Sequence, residues 1–382
     1  MFSFRIRDLI SSISPIYYCS KVLGLAPFSL DNNVSKISIC LNILHCSFVA
    51  CTIIWMCFRH LLDFRLIVYP YHTKNYIISD VFAKIILYGT SFICVIMSFI
   101  RREKMSCALR GIFKIEQKLL KNGSPYTYIF YVSILQLLLS ISCILGIFQI
   151  IDYAWGTNQF MYFYFEASVH IIKLIFVLQF VNVMMYLRYL YKQLNNLLLS
   201  FVRNSNYRLR GNRFCKQLTY DKTRLFLVIY KELQEILELV NSYFSWQITL
   251  GTATNAFIQL VTSFYDTIGE VRNFVSPKEN DELYLLRFIC QLLQVLFYLF
   301  SLLAMSVSGH VCTKEANNTL TVIHKLLLNK NLKREISIEL ERFVMYYSTY
   351  KPTITANDVF PVDMTLFQMV IAAVFIYLAI LL

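Results

Sequence analysis

The last segment of the chain, residues 364–382, reads MTLFQMVIAAVFIYLAILL and contains no charged side chain. Its only polar side chains belong to Thr365, Gln368 and Tyr377. An α-helix rises about 1.5 Å per residue, so this segment just reaches across the roughly 30 Å hydrocarbon layer of a membrane. In lipid, a single segment can satisfy its own backbone polar groups only as a helix. The segment therefore predicts a membrane-spanning helix, which either packs closely on its neighbours or lines a pore that closes by dewetting.

The rest of the chain has a similar composition. Of its 382 residues, 57% are apolar and 15% are charged, and the mean hydropathy is +0.54. A soluble domain carries about 25% charged residues, so a soluble enzyme is excluded. Apolar stretches of about 20 residues predict seven spans, and the fourth is long enough to tilt or to extend beyond the bilayer. The spans are residues 38–58, 77–100, 127–151, 160–187, 242–266, 284–307 and 362–382.

The basic residues predict the orientation of these spans. Of 36 Lys and Arg, 28 lie in the N-terminal segment and in the segments after the second, fourth and sixth spans, whereas five lie in the opposite segments. Because basic segments stay in the cytoplasm, the N-terminus is expected inside and the C-terminus outside. This orientation is opposite to that of a G-protein-coupled receptor. The glycosylation sequons at Asn33, Asn122 and Asn317 are then cytoplasmic and should carry no sugar.

Four spans carry polar side chains at the spacing of one helix face. The stripes are Asp80, Lys84 and Tyr88; Tyr162, Glu166, His170 and Lys173; Asn255, Gln259, Thr262 and Asp266; and Arg287, Gln291, Gln294 and Tyr298. Ionisable groups are costly in lipid and mark functional cavities, so the stripes predict a wet, ligand-binding pocket that opens outward. The same stripes are also compatible with two simpler roles. Asp80 and Glu166 can snorkel to the interface, and amides and His170 can simply bond to neighbouring helices.

Two further amphipathic segments, residues 213–241 and 333–350, have apolar residues at helical spacing between charged ones. They are expected either to form a common cytoplasmic bundle or to lie on the inner leaflet. Enzyme chemistry has no support, because the six histidines show no paired ligand spacing and no phosphate-binding or nucleophile motif is present. No metal, cofactor or nucleic acid partner is expected, since the net charge of +13 follows from the basic cytoplasmic segments.

Both ends of the chain carry motifs of a known family. Near the start, residues 14–18 read SPIYY and residues 21–28 read KVLGLAPF. Near the end, residues 357–363 read NDVFPVD, Leu366-Phe367 and Ala372-Ala373 follow, and residues 376–382 read IYLAILL. With seven spans and an internal N-terminus, these motifs resemble the insect gustatory receptor family, whose closing signature is Thr-Tyr, five apolar residues and Gln-Phe. Ile376 stands where the family usually has Thr, and the sequence ends at Leu382, before the Gln-Phe pair.

The resemblance implies a tastant-gated, non-selective cation channel in the plasma membrane of sensory neurons. Such a channel is a homotetramer or a heteromer with other gustatory receptors, surrounded by membrane lipid, and its small-molecule ligand is a sugar or a bitter compound. Four final helices would line one pore, with Ile376 and Ile380 on the pore face and Ile380 as the apolar gate. Gln368 would face the pore more deeply or bond to a neighbouring helix, and Tyr377 belongs to the family motif.

The expected architecture is an all-α integral membrane protein with seven transmembrane helices. Residues 1–37 form a cytoplasmic segment, and residues 38–307 form a six-helix ligand-binding bundle with a cytoplasmic helical extension around residues 188–241. Residues 308–361 form a cytoplasmic anchor loop and helix, and residues 362–382 line the pore. Two other functions remain open: a G-protein-coupled-type receptor, and a membrane transporter or enzyme that uses the charged stripes.

Overall fold

The computed structural model describes residues 9–28, 36–67, 74–119, 126–155, 160–208, 220–253, 256–262, 264, 281–328 and 332–381. Long helices dominate this part of the chain. They are α1 (Leu9–Val22), α2 (Lys36–Ile67), α3 (Lys74–Ile100), α4 (Arg102–Leu119), α5 (Tyr126–Trp155), α6 (Phe160–Arg208), α7 (Tyr220–Trp246), α8 (Asp281–Leu327), α9 (Arg334–Thr349) and α10 (Met364–Leu381). A π-helix (Gln247–Ala253) follows α7, and residues 256–262 are again helical.

The apolar helices confirm the predicted all-α membrane protein. By length and composition, four stretches of the described residues are able to cross a membrane: Ile39–Arg59, Val81–Ile100, Glu166–Phe201 and Phe288–Leu327. Two shorter apolar helices, Ser133–Gly146 and Met364–Ile380, lie within α5 and α10. Six of the seven predicted spans therefore coincide with an apolar helix.

The predicted fifth span, residues 242–266, is not one regular α-helix. The chain leaves α7 at Trp246, forms the π-helix and becomes α-helical again at residue 256. A π-helix shifts the hydrogen-bond partner by one residue, and such segments are frequent at functional sites. The interruption separates the amphipathic α7 from the apolar residues that follow it.

The helices α6 and α8 extend beyond the predicted spans. Helix α6 ends at Arg208, so the long fourth span continues as a helical extension, which was one of its two predicted outcomes. Helix α8 continues to Leu327, where a loop had been predicted from residue 308. The extensions remain helical because they pack on each other after the apolar spans end. Leu194 and Ala316 are fully buried, and the Asn195 side chain donates a 2.8 Å hydrogen bond to Glu315 Oε1.

The amphipathic helices pack together rather than lying separately. Lys118 of α4 forms a 2.6 Å ion pair with Glu232 of α7. On the other side of α7, the Tyr230 ring lies 5.1 Å from Phe343 and 4.9 Å from Tyr347 of α9. Burial raises the pKa of Tyr347 to about 12. We call α4, α7 and α9 the helical base, and its packing favours the bundle over three helices lying independently on a leaflet.

A small β-hairpin connects the helical base to α10. Strands β1 (Thr355–Ala356) and β2 (Phe360–Pro361) are antiparallel, with Ala356 opposite Phe360. Asn357 and Asp358 in the turn have φ of 52° and 58°. Asn and Asp tolerate this left-handed conformation better than other side chains, which explains their presence in the turn. Neither the hydropathy nor the spacing of residues in the sequence predicted this hairpin.

Candidate functional site

Side chains from two of the predicted stripes form a buried charged cluster. The Lys84 ammonium of α3 is paired with the Glu166 carboxylate of α6. One turn along α6, His170 Nε2 lies 3.8 Å from Glu166 Oε1. Glu166 is thus buried and ion-paired within the protein, so snorkelling does not describe it.

Hydrogen bonds extend this cluster to the other two stripes. The Tyr298 hydroxyl of α8 lies 3.4 Å from both ring nitrogens of His170 and donates a 3.2 Å bond to Gln259 Oε1. Gln259 Nε2 in turn donates a 3.2 Å bond to the carbonyl of Ala83 on α3. The polar contacts therefore connect α3, α6, α8 and residues 256–262. We call Lys84, Glu166, His170, Gln259 and Tyr298 the polar cluster.

Tyr298 is the member of the polar cluster whose role the sequence indicated least. It continues the stripe of Gln291 and Gln294 by one helical turn, and this spacing was the only signal. The structure shows that the Tyr298 hydroxyl lies between His170 and Gln259 and so connects their helices. A tyrosine within an otherwise apolar span gives no such information on its own.

The structure describes three further predicted residues on the same helices. Tyr88 is almost completely buried on α3. Lys173 is only 9% exposed, and its Nζ has no hydrogen-bond partner among the described residues. Thr262 Oγ1 bonds to carbonyls of its own helix, both at 3.1 Å. Lys173 is therefore a buried amine to which no described group bonds.

Gln291 and Gln294 are half-buried on α8, and Gln291 Oε1 has no hydrogen-bond partner in the part of the chain that is described. The remaining predicted positions cannot be placed in the site. Asn255 and Asp266, together with the side chains of Asp80, Tyr162 and Arg287, lie outside the described residues.

The helical segment that carries Gln259 also contacts the last helix. The ring of Phe257 lies 6.1 Å from the ring of Tyr377, and Phe264 lies 6.4 Å from Phe375. Both centroid distances are within the range of favourable aromatic pairs. Residues 257–262 and Phe264 are therefore in contact with the polar cluster on one side and with α10 on the other.

Helix α10 buries one stripe and exposes another. Leu366, Val370, Val374 and Leu378 recur every four residues and are buried. On the rest of the helix, Gln368 is exposed, Ile376 is 64% exposed and Ile380 is 76% exposed. The predicted pore residues thus lie on a free, mostly apolar surface of this chain.

The start of α10 is held by the hairpin and by α8. The Asn241 side chain of α7 accepts a 3.1 Å bond from the Thr355 backbone N–H, and the Asn357 side chain donates a 3.2 Å bond to Thr249 Oγ1 in the π-helix. Gly309 of α8 lies directly against the carbonyl of Val362, where a Cβ atom would come within 2.2 Å. Only a glycine permits this approach without displacing backbone.

Comparison with solved structures identifies this architecture. The insect olfactory receptor OR5 from Machilis hrabei superimposes with a TM-score of 0.62 at 12% identity, and its complex with eugenol superimposes with a TM-score of 0.58 at 13% identity. Each alignment covers 97% of both chains, and identities this low establish the shared fold alone. Curated protein sequences give no significant match. The profile of the 7tm Chemosensory receptor family matches residues 13–382, nearly the whole sequence, and the chain therefore belongs to that family.

Proposed function

We propose that this receptor is a gustatory, tastant-gated, non-selective cation channel in the plasma membrane of sensory neurons. Members of its family are ligand-gated cation channels. The observation that carries the proposal is the segment of residues 257–264, because it joins the polar cluster to α10. Its Gln259 side chain bonds to Tyr298, and its Phe257 ring packs on Tyr377. A change at the polar cluster therefore has a direct mechanical path to the last helix.

The polar cluster is the proposed tastant site. A small molecule with hydroxyl, amide or amine groups competes for the hydrogen bonds that link His170, Tyr298 and Gln259. Solved structures of one protein with this fold include a complex with eugenol, which supports a small organic ligand. The polar groups suit a sugar, and the surrounding aromatic and apolar side chains suit a bitter compound. The N-terminus is inside in this proposal, as the Lys and Arg distribution predicts.

Gating follows from the contacts of residues 257–264. When a ligand takes over the Tyr298–Gln259 bond, this segment shifts and moves Phe257 and Phe264 against α10. The helix turns or tilts so that the exposed apolar surface at Ile376 and Ile380 leaves the pore axis, and the pore hydrates. A ligand opens the channel only if it binds the open arrangement more tightly than the closed one.

Four copies of α10 around one axis, from identical subunits or from different gustatory receptors, complete the proposed pore. The exposure of Ile376 and Ile380 supports this assembly, because large apolar side chains exposed on one helix face need lipid or a partner to cover them. Cations pass along the axis, and Ile380 forms the narrow apolar ring.

The test is a current recording in a cell that does not respond to tastants. The full receptor is expressed alone and with candidate partner receptors, and mixed sugars and bitter compounds are applied while cation current is measured. Gln259→Leu should weaken the response, whereas Thr262→Val, one turn away and bonded to its own helix among the described residues, should leave it unchanged. Equal responses from both variants, or ligand effects without current, would contradict the proposal.

A further inference from the structure

A cavity lies at a distance from the polar cluster. It has a volume of about 960 Å³ and lies between α6, α8 and the chain that leads into α10. Arg188, on its α6 side, is 18 residues from His170, or about 27 Å along the helix. The cavity is lined by Arg188, His310, Val311, Thr313, Lys314, Glu315, Asn317, Asn318, Thr321, Pro352, Thr353, Ile354, Pro361, Val362 and Asp363.

The wall of this cavity formed by α8 is polar at regular helical spacing. His310, Lys314 and Asn317 follow one another by three or four residues, and Thr321 continues the row. This part of α8 is the portion for which the sequence had predicted a loop. The polar row presents hydrogen-bonding groups to the cavity.

Two basic and two acidic side chains line the cavity: Arg188, Lys314, Glu315 and Asp363. Neither Arg188 nor Lys314 forms an ion pair within the described residues, and Arg188 Nε is buried without a hydrogen-bond partner there. The two acidic groups already accept hydrogen bonds. Glu315 Oε1 accepts from Asn195 at 2.8 Å, and Asp363 Oδ1 accepts from the Thr365 backbone N–H at 2.8 Å.

We propose that this cavity binds a phosphorylated polyol, either a soluble sugar or inositol phosphate or the phosphorylated inositol headgroup of a lipid. A guanidinium and an ammonium on adjacent walls suit a phosphate group, which forms strong charge-assisted hydrogen bonds with both. The amides and hydroxyls of Asn317, Asn318 and Thr321 suit the hydroxyls of a polyol. The volume is within the range of small-molecule sites.

The position of the cavity gives the ligand a regulatory role. Val362 and Asp363 line it and lie directly before α10. Asp363 accepts hydrogen bonds from both the backbone N–H and the hydroxyl of Thr365 in the first turn of that helix. A phosphorylated polyol bound between Arg188, Lys314 and this segment fixes the start of α10. Its binding therefore changes the tastant concentration needed for gating. In the proposed orientation, the cavity faces the cytoplasm.

Binding is measured directly on the full receptor in lipid nanodiscs, which separates this inference from the proposed channel function. The soluble probe is radiolabelled inositol 1,4,5-trisphosphate, and the lipid probe is phosphatidylinositol 4,5-bisphosphate in phosphatidylcholine nanodiscs. Saturable binding of either probe is expected. Arg188→Gln and Lys314→Gln should each weaken it about tenfold or more, and Lys314→Arg should retain it.

The control is Lys325→Gln, which removes an exposed lysine of α8 that does not line the cavity. Size-exclusion profiles show whether each variant is folded. Preference for the lipid probe identifies a membrane source, and preference for the soluble probe identifies a cytosolic one. No saturable binding of either probe, or equal binding by folded Arg188, Lys314 and Lys325 variants, would overturn the proposal.

Discussion

Replacing Gly309 with alanine tests the junction between α8 and the last helix. The added Cβ atom would lie 2.2 Å from the Val362 carbonyl oxygen, and Cβ contacts below 3.0 Å essentially never occur. The two backbones must therefore separate by at least 0.8 Å, the difference between these distances. Val362 is buried, and its N–H donates a 2.8 Å bond to the Ile354 carbonyl, so it cannot move alone.

The expected cost follows from this geometry. Overpacking of a closely packed site costs about 1–3 kcal/mol. Alanine is otherwise the better helix residue by roughly 0.5–1 kcal/mol, which offsets part of this cost. The Gly309→Ala receptor should therefore be less heat-stable than wild type in size-exclusion assays after heating, and its ligand-gated current should be altered because the start of α10 has moved.

Gly146→Ala is the matched control. Gly146 lies in helix α5, and nothing lies within 4 Å of an added Cβ atom there. This variant should be as stable as wild type or slightly more stable. If Gly309→Ala matches Gly146→Ala in both heat stability and current, the close approach of α8 to Val362 does not exist in the working receptor.

Three more predictions concern the polar cluster and the last helix. Tyr298→Phe removes the hydrogen bond to Gln259 Oε1, which is worth about 1 kcal/mol. The half-maximal ligand concentration should therefore change about fivefold in dose–response recordings. An unchanged value would mean that this bond does not couple ligand binding to gating. Lys84→Met removes the ammonium that is paired with the buried Glu166 carboxylate and should destabilise the receptor by about 3–5 kcal/mol in thermal assays, and adding Glu166→Gln should restore most of the lost stability. Ile380→Ser should raise the resting current because a polar ring hydrates more easily, and an unchanged resting conductance would argue against a gate there.

The sequence predicted those features that depend on local spacing and on the cost of polarity in lipid. Lys84, Glu166 and Gln259 were selected because each continues a polar row on an apolar helix, and the structure brings these side chains together. The physical basis is general, since a buried ion or amide in a membrane protein needs a partner. What hydropathy could not predict was which rows would share hydrogen bonds, because this depends on the packing of distant helices.

Three structural features could not be predicted from the sequence, each for a different reason. The π-helix contains no proline, and mean hydropathy is insensitive to a change in hydrogen-bond register, so residues 247–253 read as an ordinary span. The hairpin depends on contacts such as that of Asn241 with Thr355, which are 114 residues apart. The continuation of α8 beyond residue 307 depends on packing against α6. The sequence contains the Asn357-Asp358 pair of the hairpin turn, but it does not show that both residues adopt a positive φ.

The hairpin provides a site for a fluorescent label that reports conformational change in the receptor. Val359 follows its turn, is 71% exposed, and belongs to a segment that touches α7, the π-helix and the start of α10. A fluorescent amino acid encoded at this position would touch neither the polar cluster nor the exposed isoleucines, and it would lie on the element that connects the helical base to α10. Its emission would follow the rearrangement of single receptors in real time, even in a variant that conducts no ions.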